Sequence, residues 1–201
     1  NTSATVTNTH FRSNTAPDAS SGRGGGVSQY GDSNSTFVSC VFYDNQAGGD
    51  ALGGGGLFNA GDTSATLINC TFNANSATGT ASSGGAVHHT DGTLVVTNTI
   101  SWGNTALTDN EIHAGGTATP TITYSDIQGG TTGTNGNIAA DPLFVGSGDL
   151  ALQDGSPCID AGDGDTAPSN DIIGNPRADD TTVTDTGTGT ITYADMGAYE
   201  Y

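Results

Sequence analysis

Leu67-Ile68-Asn69-Cys70-Thr71-Phe72-Asn73-Ala74-Asn75 stands a short way downstream of Gly54-Gly55-Gly56-Leu57, and the pair of motifs recurs along the chain. The glycine motif returns as Gly24-Gly25-Gly26-Val27 and as Gly84-Gly85-Ala86-Val87, 30 residues away on either side. The strand-like motif returns as Val6 to Asn14, Phe37 to Asn45 and Val96 to Asn104, with a weakened fifth copy at Ile122-Thr123-Tyr124-Ser125-Asp126-Ile127. Its closing asparagine falls at Asn14, Asn45, Asn75 and Asn104, in steps of 31, 30 and 29. Short β-type runs separated by Gly, Asn and Asp turns at this period predict an all-β chain, a right-handed parallel β-helix with one coil per repeat. Helical repeats are excluded, because no window carries an apolar stripe of helical period and glycine is everywhere.

Within one copy, Leu67, Cys70 and Phe72 read as inward-facing. The step from 67 to 70 breaks strict alternation and places Asn69 at a bend, where asparagine tolerates left-handed geometry. Coils stacked at the interstrand spacing of about 4.8 Å then turn equivalent residues into ladders. Phe11, Phe42 and Phe72 form one inside, and Asn14, Asn45, Asn75 and Asn104 form another at a turn. Cys40 and Cys70 fall at equivalent inward positions, so their Cα atoms are expected about 5 Å apart. That separation permits a disulfide, but parallel stacked side chains need not have its torsions, and bonded and free thiols both stay open. These ladders specify a fold, not an activity.

Composition fits a solenoid better than any other globular class. The 201 residues include 32 glycines, only 33% are hydrophobic, and the net charge is −18. Such a chain would read as disordered if it needed a thick core, but each coil of a solenoid buries only a thin strip and is stabilised by its neighbours. There is no lysine, and Arg12, Arg23 and Arg177 face 21 acidic residues. This argues against binding nucleic acid or an anionic membrane, both of which need a basic patch. No apolar run approaches the roughly 20 residues of a membrane span. No signal peptide is visible, which reads as a mature, processed or partial chain. Three cysteines are too few for a disulfide scaffold and wrongly spaced for a zinc site.

The paired signatures GGGV/GGGL/GGAV and Phe-x-x-Asn (Phe11 to Asn14, Phe42 to Asn45, Phe72 to Asn75) resemble the repeats of polymorphic outer-membrane-protein-type β-helices. The second half carries a more specific series: Asn137-Ile138-Ala139-Ala140-Asp141-Pro142-Leu143-Phe144-Val145, Asp149-Leu150-Ala151-Leu152, Ser156-Pro157-Cys158-Ile159-Asp160-Ala161-Gly162-Asp163, Asp171-Ile172-Ile173-Gly174-Asn175-Pro176-Arg177 and Asp195-Met196-Gly197-Ala198-Tyr199-Glu200-Tyr201. This series looks like the choice-of-anchor Q domain of bacterial surface proteins with a pectate-lyase-like β-helix. The resemblance implies an extracellular or bacterial cell-surface location and assigns no reaction. Such domains usually precede a sorting signal, which at a chain stopping at Tyr201 is expected to be absent, removed or not included.

Residues 1–137 are therefore expected to form the coils, and residues 138–201 a terminal coil and irregular cap in the same continuous domain. Arg177, the only base of that tail, is expected to pair with Asp160, Asp195 or Glu200. The first coil has no comparable cover, so end-to-end joining of copies into a filament is one expectation.

Candidate chemistry is sparse. A β-helix lyase needs a base, and with no lysine that role falls to Arg12, Arg23 or a histidine. Arg12 stacks on Tyr43, Asn73 and Trp102, with no acidic ligand cluster beside it. A glycoside hydrolase needs two carboxyl groups about 5 to 9.5 Å apart, but Asp44 stacks with Ser13, Ala74 and Gly103. His88 and His113 align on neighbouring coils, yet no third metal ligand accompanies them, and they read as exposed, incidental histidines. Asp160, Asp163 and Asp165 offer three carboxylates on a glycine-rich loop, the oxygen-only donors that calcium takes; a solvated turn is the alternative. Tyr43 and Trp102 point outward, where aromatic rings can stack on sugars. Two functional classes remain. The first is a non-catalytic structural or adhesive module: adhesin stalk, matrix component or filament subunit, with a polysaccharide or cell-surface ligand as a candidate partner. The other is a carbohydrate-active enzyme or carbohydrate-binding fragment.

Overall fold

In the computed structural model, which describes residues 2–18, 20–49, 52–130 and 132–201, the repeat becomes a four-cornered coil. The first coil contains β1 (Thr2–Thr7), β2 (His10–Arg12), β3 (Thr15–Ala16) and β4 (Val27–Tyr30). The second contains β5 (Ser33–Val38), β6 (Val41–Tyr43), β7 (Gln46–Ala47) and β8 (Leu57–Ala60), and the third β9 (Ser64–Ile68), β10 (Thr71–Asn73), β11 (Ser76–Ala77) and β12 (Val87–Thr90). The fourth has β13 (Thr93–Thr97), β14 (Ile100–Trp102) and β15 (Ile112–Gly115), and β16 (Thr119–Thr123) with β17 (Asp126–Ile127) begin a fifth. Like strands stack in parallel into four sheets, ordered β1-β5-β9-β13-β16, β2-β6-β10-β14-β17, β3-β7-β11 and β4-β8-β12-β15. The result is a right-handed parallel β-helix of about four turns, as the period predicts. No helix is present among the described residues, so none is long and apolar enough to cross a membrane.

Backbone geometry explains the turn residues. Asn8, Ser39, Asn69, Asn98 and Tyr124 occupy the same corner on successive coils, all with φ between 46° and 51°. Asparagine is the non-glycine residue that accepts this region best, and Asn69 is the bend that the broken alternation required. The glycine motif has a second cause, close approach. A Cβ on Gly55 would lie 2.3 Å from the carbonyl oxygen of Gly85 and 2.5 Å from the amide nitrogen of Ser76 in β11. One residue on, a Cβ on Gly56 would meet the Phe72 ring at 2.9 Å. The next copy carries Ala86 there, because Ser101 replaces phenylalanine on the coil above and leaves room.

The core is a narrow column. Val6, Phe37, Leu67, Val96 and Ile122 stack from the first sheet, and Val27, Leu57, Val87 and Ile112 from the fourth. Phe11, Phe42 and Phe72 stack between them, with ring centroids 4.6 and 4.4 Å apart. Beside them runs the asparagine ladder, in which each Nδ2 donates to the Oδ1 of the next asparagine, from Asn14 through Asn45 and Asn75 to Asn104. Glu111 ends it. Its carboxylate accepts from Asn104 Nδ2 at 2.6 Å and from the Ser101 hydroxyl at 2.7 Å, filling the space where the phenylalanine stack stops.

Cys40 and Cys70 are stacked and fully buried, as expected, but all three cysteines are free thiols. Each thiol donates to carbonyls of its own coil and of the coil below: Cys40 to Val38 and Val6, Cys70 to Ile68 and Phe37.

Residues 138–201 are irregular apart from one antiparallel hairpin, β18 (Phe144–Gly146) and β19 (Asp149–Leu152). They do not close the end of the solenoid. Instead they run along its flank, against the outer face of the second sheet, where Val41 packs on Leu150, Ile172 and Ala198 and Ile100 packs on Cys158, Ile159 and Met196. The reason lies in the outward residues of that sheet, Val41, Thr71 and Ile100, which give the tail an apolar seat. Only a short stretch begins to cover the end: Ile138 and Asn135 pair with Ser125, Ile127 and Tyr124.

Candidate functional site

Chemistry-bearing side chains gather at the seam between the solenoid and its flank layer. Corner asparagines supply the anchoring. Asn69 Nδ2 donates to the carbonyls of Asp195 and Gly197, and Asn98 exchanges bonds of 2.7 and 2.9 Å with the backbone of Asp163. Thr71 Oγ1 accepts from the Ala198 amide. On the first two coils, Arg12 donates to the Gly148 carbonyl at 2.7 Å and lies 4.9 Å over the Tyr43 ring, while the Tyr43 hydroxyl meets Ser147. Arg12, Tyr43, Asn73 and Trp102 do form the predicted ladder. The tail reaches over it, however, and Tyr43 and Trp102 pack against flank side chains rather than standing free for a sugar.

The seam also buries acids. Arg177 pairs with Glu200, both side chains almost fully enclosed, and Glu200 further accepts from the Ala178 amide. Of the three partners expected for Arg177, this is the one it meets. Asp195 instead accepts from the amides of Asp160 and Tyr201. Burial, then the charge of Glu200, pushes the Asp195 pKa up to about 7. Burial likewise raises Asp126 to about 6, partly offset by the Cys158 thiol and the Ala140 amide, with Asp141 and Glu111 adding to the rise.

Both pKa values lie above those of the unfolded chain, so the folded state holds protons that the unfolded state releases above about pH 4. The stability contributed by these two acids is therefore greatest at low pH and is lost as pH rises through about 6 and 7, while His88, whose pKa is lowered to about 4, contributes in the opposite sense. In a chelator buffer Asp195→Asn is expected to remove the share of that acid, so that on going from pH 5 to pH 8 its melting temperature changes about 5 to 10 °C more favourably than that of the unaltered chain. The same pH response in both proteins would contradict the assignment. Exposed carboxylates with lowered pKa, such as Asp18 at about 2, act below this window.

The histidines differ from expectation. His88 is buried, not exposed, and lies between the Phe58 ring at 5.1 Å and the His113 ring at 4.7 Å. Burial lowers its pKa to about 4, with His113 contributing, so it is neutral. His113 turns its Nδ1 to Asp109 at 2.6 Å, and among the described residues no group of three potential ligands surrounds this pair. His89, one residue on, faces inward and meets Asn59 at 2.7 Å, a buried polar contact that the apolar reading of the column missed.

The chain matches no family model, no curated protein and no solved structure.

The acidic loop is also rearranged relative to the sequence reading. Asp163 and Asp165 do not join Asp160. Their carboxylates accept from local groups, Asp163 from the Asp165 amide and Thr166 hydroxyl, Asp165 from the Thr190 amide. Asp160 gathers instead with Asp179 and Asp185, one oxygen of each lying within 4.8 Å of the others. Adjacent placement in sequence suggested the first set. The second is assembled by the fold from segments about 20 residues apart, so no spacing rule could reveal it.

Proposed function

We propose that this chain is a non-catalytic structural or adhesive module of a bacterial cell surface, of the choice-of-anchor Q kind, whose solenoids add to one another end to end. The observation that carries the reading is the use made of its ionisable groups. Arg12 and Tyr43 hold the hairpin, Arg177 and Glu200 hold the tail, Asp126 meets Cys158, and Glu111 closes the asparagine ladder. These side chains join coil to coil or flank to coil, and Asp44 faces Ser13 rather than a second acid. A strongly acidic surface with no lysine suits a soluble exterior.

End-to-end addition is favoured by the far end of the solenoid. A cleft of about 440 Å³ there is lined by inward-facing Ile112, Ala114, Ile122 and Ile127, and among the described residues no strand pairs with the outer edges of β15 and β16. Such edges are templates for another strand, although Pro120 removes one donor from β16. Incubation with pectate, alginate and neutral polysaccharides, with calcium supplied, is expected to release no new reducing or unsaturated ends. Turnover abolished by changing Arg12 or Arg23 would overturn the non-catalytic reading. Electron microscopy and light scattering should show end-on association that Ile122→Glu abolishes. A stable monomer at high concentration would remove the assembly part.

A further inference from the structure

Among the described residues, Asp160 is the one acid whose two buried carboxylate oxygens both lack a hydrogen-bond partner. The residue is fully buried, and neither carboxylate oxygen accepts a hydrogen bond from any described group. Its backbone is fixed from both sides: the amide donates to Asp195, and the carbonyl accepts from Thr186 at 2.9 Å and Gly187 at 3.0 Å. The carboxylate faces two exposed acids, Asp179 and Asp185, with one oxygen from each of the three inside a 4.8 Å cluster. Arg177, the only cation of residues 138–201, is turned to Glu200. Like charges so close, one of them taken out of water, are unfavourable unless something positive joins them.

We infer that Asp160, Asp179 and Asp185 form a calcium site that clips the 178–187 loop onto the flank layer. The donors are oxygen only, which selects a hard cation over zinc or copper. Two of them sit on an exposed loop, so the site is open and adaptable. That suits calcium, which takes six to eight oxygens including waters, better than magnesium with its strict octahedron. Asp185 keeps one oxygen for the Thr192 hydroxyl and has the other to offer. An open three-carboxylate site belongs with extracellular modules that bind calcium at about 10⁻⁴ to 10⁻³ M.

The test is thermal unfolding of the whole chain at pH 7.5, in EDTA and in 10 mM calcium, with ionic strength matched by sodium chloride. Calcium is expected to raise the melting temperature by about 4 to 8 °C. The Asp179→Asn/Asp185→Asn double variant alters only exposed side chains, and it should fold and lose the rise. Asp160→Asn should lose it too, while melting no lower than the unaltered chain in EDTA, because a neutral amide relieves the buried charge. An equal melting temperature in EDTA and calcium would overturn the site. So would a rise of the same size in the double variant, which would mean general screening of the −18 charge.

Discussion

Replacing Asn75 with alanine is expected to destabilise the solenoid by about 3 to 5 kcal/mol, lowering its melting temperature by roughly 6 to 15 °C. The side chain sits in the middle of the ladder and is fully buried. Its Nδ2 donates to the Phe42 carbonyl and to Asn104 Oδ1, both at 2.8 Å, and its Oδ1 accepts from the backbone and side chain of Asn45. Alanine takes the acceptor from the buried Asn45 amide and a donor from the Phe42 carbonyl on the second coil, and one of two donors from Asn104 Oδ1 on the fourth. Asn14→Ala is the control. That residue is exposed and only begins the ladder, so its loss should cost less than about 1 kcal/mol. Denaturant titration of the two variants measures the contrast. Equal, small losses at both positions would show that the ladder is decoration on a fold held by packing alone.

Arg177→Ala carries the second large effect, again about 3 to 5 kcal/mol. The guanidinium and the Glu200 carboxylate are 4% and 1% exposed, and the arginine Nε also donates to the Pro168 carbonyl. Alanine strands Glu200 in a buried place beside Asp195, with the amides of Ala178 at 2.9 Å and Asp195 at 3.4 Å as its remaining donors. Removing both charges together, in Arg177→Met/Glu200→Gln, should recover much of the loss, because a buried pair is worth less than the cost of breaking it. Hydrogen exchange should place the damage: amides of residues 171–201 open first, while those of β9, β10 and β13 keep their protection. Uniform loosening of the coils would mean that the flank layer does not unfold separately.

What the sequence made legible was whatever repeats. Phe11, Phe42 and Phe72 announce a shared interior because a parallel stack puts equal residues in equal surroundings, and Asn69 announces a corner because few residues tolerate its φ of 47°. Even the exception at Ala86 is readable once Ser101 is seen to lack a ring. The tail has no period, so nothing in it says whether it closes an end or lies along a side. The answer rests on the outward Val41, Thr71 and Ile100, residues that a repeat alignment treats as surface. Asp179 and Asp185 were invisible for a related reason: loops with no register bring them to Asp160. His88, expected to be exposed, is buried because Phe58, His113 and Ser83 enclose it, contacts that the alignment of repeats does not show.

The tail touches every rung in turn: Arg12 on the first coil through Gly148, Tyr43 on the second through Ser147, Asn69 on the third, Asn98 on the fourth, and Asp126 on the fifth through Ala140. It thus works as a ruler laid against the stack, graduated at the rung spacing and about 19 Å long. An extra 30-residue coil inserted mid-stack would satisfy every phenylalanine and asparagine ladder, yet it would carry the anchors beyond it one rung out of reach. Repeat proteins usually gain and lose units freely. Here that freedom is confined to coils outside the measured span, and the length between Arg12 and Asp126 is set by a segment that belongs to no repeat.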